Sequence, residues 1–154
     1  MTSEVSARPR AVYEVFIKAP ASQVWDAITK GEFTRRYFHG TILQTTLEAG
    51  TPFVFLAPDG RALMVDGTVI KSDPPRRLVH TWRALWDEEV SRDAPSRLTW
   101  ELLEINGMTK LTVVHDDFDG ETATYRQVTG GWMWVLSNLK TLLETGETLP
   151  ALSA

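Results

Sequence analysis

Hydrophobic and polar positions alternate with a period of two over most of the chain and with a helical period near both ends. "RAVYEVFIKA" (10 to 19) alternates and is rich in β-branched and aromatic residues, so it predicts a first strand that stops at Pro20. "ASQVWDAITKG" and "EFTRRYFHG" carry apolar residues at helical spacing, and Gly31 and Gly40 stand where a helix would end. Two short helices are therefore predicted after the first strand.

The middle of the chain, from about 41 to 118, predicts six further strands. Turn sequences such as "APDG", "SDPPRR" and "DEEVSRDAPS" separate its alternating runs. The predicted strands are 41 to 47, 52 to 57, 62 to 72, 76 to 85, 96 to 105 and 109 to 117. Asn106 and Gly107 lie between the last two and give the strongest hairpin signal in the sequence.

The last segment returns to a helical period. Its apolar residues recur at steps of four and three: Val128, Trp132, Val135, Leu139 and Leu142. They predict one long helix over 122 to 145 that ends at Gly146. Gly130 and Gly131 fall inside this pattern, where each costs up to ~1 kcal/mol relative to alanine. Close packing against a strand, or room for a bound molecule, would explain them.

The order of elements favours an α+β fold. A run of strands followed by one helix is typical of a curved antiparallel sheet that covers one face with that helix. A chain of 154 residues is long enough for one well-buried core. We therefore expect a single domain over 1 to 154, with its core at about 11 to 147.

Composition excludes several classes of protein. The net charge is −4 with both signs interspersed, whereas nucleic-acid binding requires a basic stripe. The chain has no cysteine, so disulfides and zinc–thiolate sites are excluded. "MTSEVSARPR" lacks the apolar core of a signal peptide, and no run approaches the ~20 apolar residues of a membrane span. We expect a cytoplasmic protein without nucleic-acid partners or membrane insertion.

Four stretches together resemble one family. They are "APASQVWDAIT", "DPPRRLVHTW", the "LTWELLE" to "TKLTVVHDDF" hairpin and the terminal "GGWMWVLSNLKTLLETG". Over roughly 11 to 147 the chain is similar to the bacterial single-domain group related to the C-terminal domain of the activator of the ninety-kilodalton heat-shock chaperone's ATPase. That group lies in the START-like, helix-grip or SRPBCC superfamily. The resemblance implies a seven-stranded antiparallel sheet that grips the long helix and leaves a cavity for an apolar ligand.

Strand parity indicates which side chains face that cavity. It places His80 and Trp82 on one face of their strand, Trp100 on the equivalent face of the next and His115 on that of the last. Leucine and valine share these faces, so the faces should point toward the helix. Core filling is the commoner role for such residues. A histidine in a pocket would instead titrate near neutral pH and hydrogen bond to a ligand.

Two sets of candidate ligand-binding residues follow. The cavity candidates are His80, Trp82, Trp100, His115, Trp132, Met133 and Leu136. Trp134 lies off the apolar stripe of its helix, and the second short helix would lie at the open end of the fold. The candidates for the pocket mouth are Tyr37, Phe38, His39 and Trp134.

Dedicated catalytic signatures are missing from the sequence. It contains no Gly-x-Ser-x-Gly elbow, no phosphate-binding glycine loop and no His-Glu-x-x-His motif. The three histidines and the acidic "HDDFDG" do not have the spacing of a standard metal site. No metal and no cofactor are expected.

Three functions remain open. Binding of a small hydrophobic or aromatic ligand, in a carrier, sensor or sequestration role, is favoured. The first alternative is a polyketide cyclase-, aromatase- or hydrolase-like enzyme in which His80 or His115, with Glu101 or Arg83, moves a proton. The second is a chaperone-associated stress-response protein. The resemblance implies a separate docking domain for that role, which this chain has no room for, so no chaperone partner is expected. A homodimer is compatible with all three.

Overall fold

A curved antiparallel sheet wraps around a C-terminal helix in this protein, whose computed structural model describes residues 8–151. The strands are β1 Ala11–Ile17, β2 Ile42–Thr45, β3 Phe53–Leu56, β4 Leu63–Asp66, β5 Val69–Asp73, β6 Arg77–Ala84, β7 Ser96–Ile105 and β8 Met108–Asp116. The helices are α1 Ala21–Thr29, α2 Gly31–Tyr37, α3 Glu88–Ser91, α4 Ala123–Val128 and α5 Trp132–Thr145.

The sheet has the strand order β1-β8-β7-β6-β4-β3-β2, and β5 pairs with β6 next to β4. Every pairing is antiparallel. The predicted α+β helix-grip fold, with two short helices after the first strand, is confirmed. The predicted hairpin is confirmed too, because Asn106 and Gly107 have φ of 52° and 80° between β7 and β8.

The strand predicted over 62 to 72 is two strands, so the sheet has eight strands where seven were predicted. The interruption lies at Gly67 and Thr68, between β4 and β5. A Cβ atom on Gly67 would lie 2.0 Å from the carbonyl oxygen of Thr81 on β6. The two backbones therefore approach too closely for any side chain at this position, and the strand breaks there.

The helix predicted over 122 to 145 is also divided. α4 ends at Val128, and α5 begins at Trp132. A Cβ atom on Gly130 would meet nothing within 4 Å, and one on Gly131 would lie 3.7 Å from the carbonyl oxygen of Val128. Close packing against a strand is therefore the wrong explanation for these glycines. The predicted end at Gly146 is confirmed, with φ 81°.

The end of the first short helix agrees with the prediction. α1 stops at Thr29 with Lys30 as its C-cap, so Gly31 is the C′ residue, and it is also the first residue of α2. Gly40, with φ 73°, lies in the turn after α2 as predicted.

A continuous cluster of buried side chains fills the space between the concave face of the sheet and the helices. The inward faces predicted from parity are confirmed by burial. Their least exposed members are Leu78, His80, Ala84, Leu98, Trp100, Leu111, Val113 and His115.

The free edge of β1 is capped by two charged residues of α5. Lys140 Nζ donates a hydrogen bond to the carbonyl oxygen of Phe16, at 2.6 Å. The amide of Lys18, just after β1, donates to Glu144 Oε2 at 2.7 Å. Lys140 and Glu144 also pair with each other at 2.6 Å. Polar groups at this end of the sheet are thus satisfied within the chain.

None of the helices among the described residues has the length and apolar character needed to cross a bilayer. The prediction that a signal peptide is absent concerns the N-terminus, of which residues 1–7 lie outside the described part of the chain.

Candidate functional site

A half-open pocket of about 280 Å³ lies between the α4–α5 break and the arm of the sheet formed by β3 and β4. We call it the aromatic pocket. Its lining residues are Phe38, His39, Thr41, Phe55, Met64, Val65, Trp82, Trp86, Gln127, Val128, Gly131, Trp132 and Val135. Its volume lies near the lower end of small-molecule sites, about 300 Å³. Gly131 therefore borders the pocket, which agrees with the predicted room for a bound molecule.

Aromatic rings form the inner walls of the pocket. Phe38 stacks on Phe55 with 4.9 Å between ring centroids, and its edge meets Trp132 at 5.6 Å. Trp82 lies 6.0 Å from Trp132 and 5.7 Å from Phe55. Offset and edge-to-face contacts of this kind are favourable and hold each ring in place. The walls are consequently flat, apolar and largely preformed.

Within the described part of the chain, the lining contains no aspartate, glutamate, lysine or arginine. A charged group taken into such surroundings would lose its hydration without gaining a partner, at a cost of several kcal/mol. The pocket therefore selects against charged molecules.

Polar contacts tie α4 to the loop after β6 at the rim of the pocket. Trp86 Nε1 donates to Gln127 Oε1 at 2.8 Å, and Gln127 Nε2 donates to Asp87 Oδ2 at 3.2 Å. The amide and hydroxyl of Thr124 both donate to Asp93 Oδ2, at 2.8 Å and 2.7 Å. The polar atoms of Gln127 are thus engaged within the protein.

His39 occupies the mouth of the pocket. Its ring stacks on Trp134, with centroids 5.1 Å apart and planes inclined by 19°. Its backbone has φ 55°, in the left-handed region that few residues other than glycine adopt. Burial of part of the ring lowers the pKa of His39, although the residue as a whole is exposed.

His39 also borders a second groove of about 560 Å³. We call it the tail groove, because the C-terminal segment forms one side of it. Its lining residues are Arg36, His39, Gly40, Trp134, Asn138, Thr148, Leu149 and Ala151. The amide of Leu149 donates to Asn138 Oδ1 at 2.7 Å, which fixes the segment on α5.

His80 and His115 lie behind the aromatic pocket, and each accepts a hydrogen bond from a tryptophan. Trp100 Nε1 donates to His80 Nε2 at 3.0 Å, and Trp132 Nε1 donates to His115 Nδ1 at 3.1 Å. The accepting nitrogens carry no proton, so the other nitrogen of each ring is the donor. His80 Nδ1 then donates to the carbonyl oxygen of Thr81 at 2.9 Å, and His115 Nε2 to Ser96 Oγ at 2.7 Å.

Both histidines are therefore neutral and fully hydrogen bonded in the core. Burial lowers the pKa of His80 to about 4, against a smaller opposing effect of its bond to Thr81. Burial, with a smaller contribution from His80, lowers the pKa of His115 to about 3. No nitrogen of either ring is left to bind a ligand or to move a proton.

The predicted cavity residues fall into two groups. Trp82 and Trp132 line the aromatic pocket, whereas four candidates are buried outside its lining: His80, Trp100, His115 and Leu136. Met133 is 65% exposed and lines neither pocket nor groove, because it points away from the sheet at the start of α5. The structure therefore places these five candidates outside the lining of the aromatic pocket.

The predicted mouth residues divide in the same way. Phe38 and His39 line the aromatic pocket, and Trp134 lines the tail groove while it supports His39. Tyr37 is not at the mouth. Its side chain is buried, and its hydroxyl donates to the carbonyl oxygen of Ala27 at 2.9 Å.

Several lining residues were missed, although the sequence carried a signal for some of them. Trp86 continues the parity of His80, Trp82 and Ala84 two residues beyond the end of β6. Phe55 lies two residues after Phe53, so strand alternation places both on the inward face of β3. Met64 and Gln127 gave no signal, because their positions depend on the strand break at Gly67 and on the break between α4 and α5.

The residues named for proton transfer do not meet in the pocket. Arg83 forms a two-bond pair with Asp66, at 3.0 Å and 2.7 Å, and Glu101 is exposed beside Arg77 at 3.7 Å. Neither Arg83 nor Glu101 lines the pocket. The structure therefore does not bring Arg83, Glu101 and the two core histidines together at the aromatic pocket. Within residues 8–151, no three histidine, aspartate or glutamate side chains converge as metal ligands would.

Residues 18–144 match the family model described as "Activator of Hsp90 ATPase homolog 1-like protein". No curated protein matches the chain. Protein MLL2253 from Mesorhizobium loti is similar in structure, with 23% identity and a TM-score of 0.74 over 88% of this chain and 97% of that one. The Aha1 dimer from Colwellia psychrerythraea has 17% identity and a TM-score of 0.71 over 90% of this chain and 98% of that one.

DynU16, described as a protein in the dynemicin biosynthetic locus, is also similar. It has 23% identity and a TM-score of 0.69, and the match covers 90% of this chain. The chain spans only about half of DynU16, since 48% of that protein is covered. At these identities the three structures show a shared fold.

Proposed function

The chain belongs to the family of Activator of Hsp90 ATPase homolog 1-like proteins, and from that premise we propose that it binds a small hydrophobic or aromatic molecule in the aromatic pocket. The observation that carries this proposal is the half-open space with preformed aromatic walls between the sheet and the α4–α5 break. A flat apolar molecule would exchange water for ring contacts there, at about 25 cal/mol for each Å² of apolar surface buried.

The pocket suits reversible binding rather than permanent enclosure. One side opens to solvent, so a ligand can enter without unfolding the core. The wall residue Trp132 is anchored from behind by His115, at 3.1 Å. A wall that is already in position loses little conformational entropy when a ligand binds, which favours affinity. These features fit a carrier, a sensor or a sequestering protein.

The experiment measures binding of naphthalene, a neutral two-ring hydrocarbon, by titration calorimetry and by tryptophan fluorescence. We expect saturable binding at one site per chain. Met64→Trp should abolish it, because Met64 lines the pocket and a larger side chain there would fill it. Leu63→Trp is the matched control, since Leu63 is the preceding residue of β4, is 41% exposed and lies outside the lining. Equal binding by both variants, or none by the wild type, would refute the proposal.

An enzyme that uses the same pocket is the second candidate, favoured by the position of the structural neighbour DynU16 in a biosynthetic locus. Among the described lining residues His39 is the one acid–base group that titrates near neutral pH, so it is the candidate for proton transfer. Loss of turnover in His39→Phe, measured on a compound shown to bind, is the result that this candidate requires.

A role beside a chaperone is the third candidate, favoured by the family description. Retention of the purified ninety-kilodalton heat-shock chaperone by immobilised protein at micromolar concentration would support it. The test is independent of the pocket, because Met64→Trp should leave such retention unchanged.

A further inference from the structure

We infer that the ligand is an uncharged ring compound with one hydroxyl or carbonyl group, and that His39 selects it by hydrogen bonding to that group at the mouth of the aromatic pocket. This inference rests on the proposed function and adds the chemical class of the ligand and the residue that determines specificity.

The absence of charged side chains in the described lining argues against charged ligands. No described lining residue is an acid, a lysine or an arginine, so a carboxylate or ammonium inside the pocket would have no counter-charge. Such a ligand would lose its hydration and gain only ring contacts. An uncharged ring compound loses far less hydration free energy on entering the pocket.

The polar side chains of the lining leave two groups available to a ligand, the imidazole of His39 at the mouth and the indole N–H of Trp82. The Trp82 N–H is buried without a hydrogen-bond partner among the described residues, and it can only donate. Gln127 is engaged by Trp86 and Asp87, and the hydroxyl of Thr41 donates to the carbonyl oxygen of Phe38 at 2.6 Å. The ring nitrogens of His39 have no hydrogen-bond partner among residues 8–151. A neutral imidazole offers one donor and one acceptor, which suits a carbonyl or a hydroxyl respectively.

The backbone of His39 places this group at the mouth at some cost. A residue other than glycine with φ 55° lowers the stability of the fold by roughly 1–2 kcal/mol. Such backbone strain is concentrated at functional sites. The stack on Trp134, inclined by 19°, then fixes the plane of the ring. A histidine held in this way, with free nitrogens, is arranged for recognition rather than for packing alone.

The test compares three compounds with the same two rings: naphthalene, 2-naphthol and 2-naphthoate. Titration calorimetry at pH 7 measures each affinity for the wild type and for His39→Phe. For the wild type we expect 2-naphthol to bind about fivefold more tightly than naphthalene, as one net hydrogen bond provides. The affinity for 2-naphthoate should be at least tenfold below that for 2-naphthol. In His39→Phe the preference for 2-naphthol should disappear while naphthalene still binds.

The outcomes separate this inference from the proposed function. Equal affinities for naphthalene and 2-naphthol in the wild type, or a preference that survives in His39→Phe, would overturn the role of His39 and leave pocket binding intact. Tight binding of 2-naphthoate would overturn the claim that the ligand is uncharged. If none of the three compounds binds, the inference and the proposed function both fall.

Discussion

The two ends of the concave face use the same residue types in opposite ways. Around β7 and β8, His80 and His115 are enclosed, and their nitrogens are engaged by tryptophan, serine and backbone. Around β3 and β4, tryptophans border an open pocket and His39 keeps its nitrogens free. We call these regions the closed region and the open region.

The difference lies in what covers each region. In the closed region, side chains from the sheet and from α5 fill the space. The open region lies under the break between α4 and α5. Trp132 belongs to both, since its N–H is bonded to His115 and its ring lines the pocket. The closed region therefore serves as the support that holds one wall of the open region in place.

Acid should destabilise the closed region, and this is the largest expected effect. Each histidine of the unfolded chain takes up a proton near pH 6.5, whereas the folded pKa is about 4 for His80 and about 3 for His115. The unfolded state therefore binds more protons as the pH falls from 6.5 toward 4, and the free energy of unfolding decreases. The loss at pH 5 is about 2 kcal/mol for each histidine.

Urea unfolding at pH 7 and pH 5 measures this loss, and NMR of the imidazole nitrogens identifies the histidines responsible. His39, in the open region, should titrate at a higher pH than the other two. A titration midpoint near 6.5 for either His80 or His115 would contradict the hydrogen-bonded arrangement described above.

Truncation of one leucine and one methionine should sharpen the contrast. Leu98→Ala leaves a cavity in the closed region, where Leu98 is 0% exposed, and should lower the free energy of unfolding by about 2–5 kcal/mol. Met64→Ala only widens a pocket that is already open, so we expect a loss of about 1 kcal/mol or less. Urea unfolding of both variants measures the difference, and equal losses would mean that the two regions are packed alike.

Alanine at the helix break should give the smallest effect, with the opposite sign. Neither glycine needs a positive φ, and the nearest atom to a Cβ on either would be 3.7 Å away. Gly130→Ala and Gly131→Ala should therefore each stabilise the protein by about 0.4–1 kcal/mol, by restricting the unfolded chain. Only Gly131→Ala should weaken naphthalene binding, because Gly131 alone of the two lines the pocket. Destabilisation by Gly130→Ala would contradict the geometry of the break.

The sequence was sufficient to predict the helices, strands and turns whose signals are local. β1, α1, α2, β7 and β8 follow from alternation and helical spacing, and the Asn106-Gly107 turn specifies its own backbone. The breaks at Gly67 and after Val128 were not predictable in this way. The first depends on the distance to β6, and the second interrupts a pattern that continues across it.

The site was less predictable than the fold for the same reason. Parity states which side chains face inward, and His80, Trp100 and His115 do so. Parity does not state whether the inward space is filled. His80 and His115 were candidates because of their chemistry, and their partners are 17 or more residues away along the chain, apart from Thr81. His39 was found only because it follows a short helix expected at the open end.

The charged cap on β1 has a consequence for self-association. A second copy that extended the sheet across this edge would have to displace Lys140 from the carbonyl of Phe16 and Glu144 from the amide of Lys18. Charge-assisted bonds of this kind are stronger than the neutral backbone bonds that would replace them. Continuous sheet growth is therefore disfavoured at this end of the strand, which also opposes fibril formation.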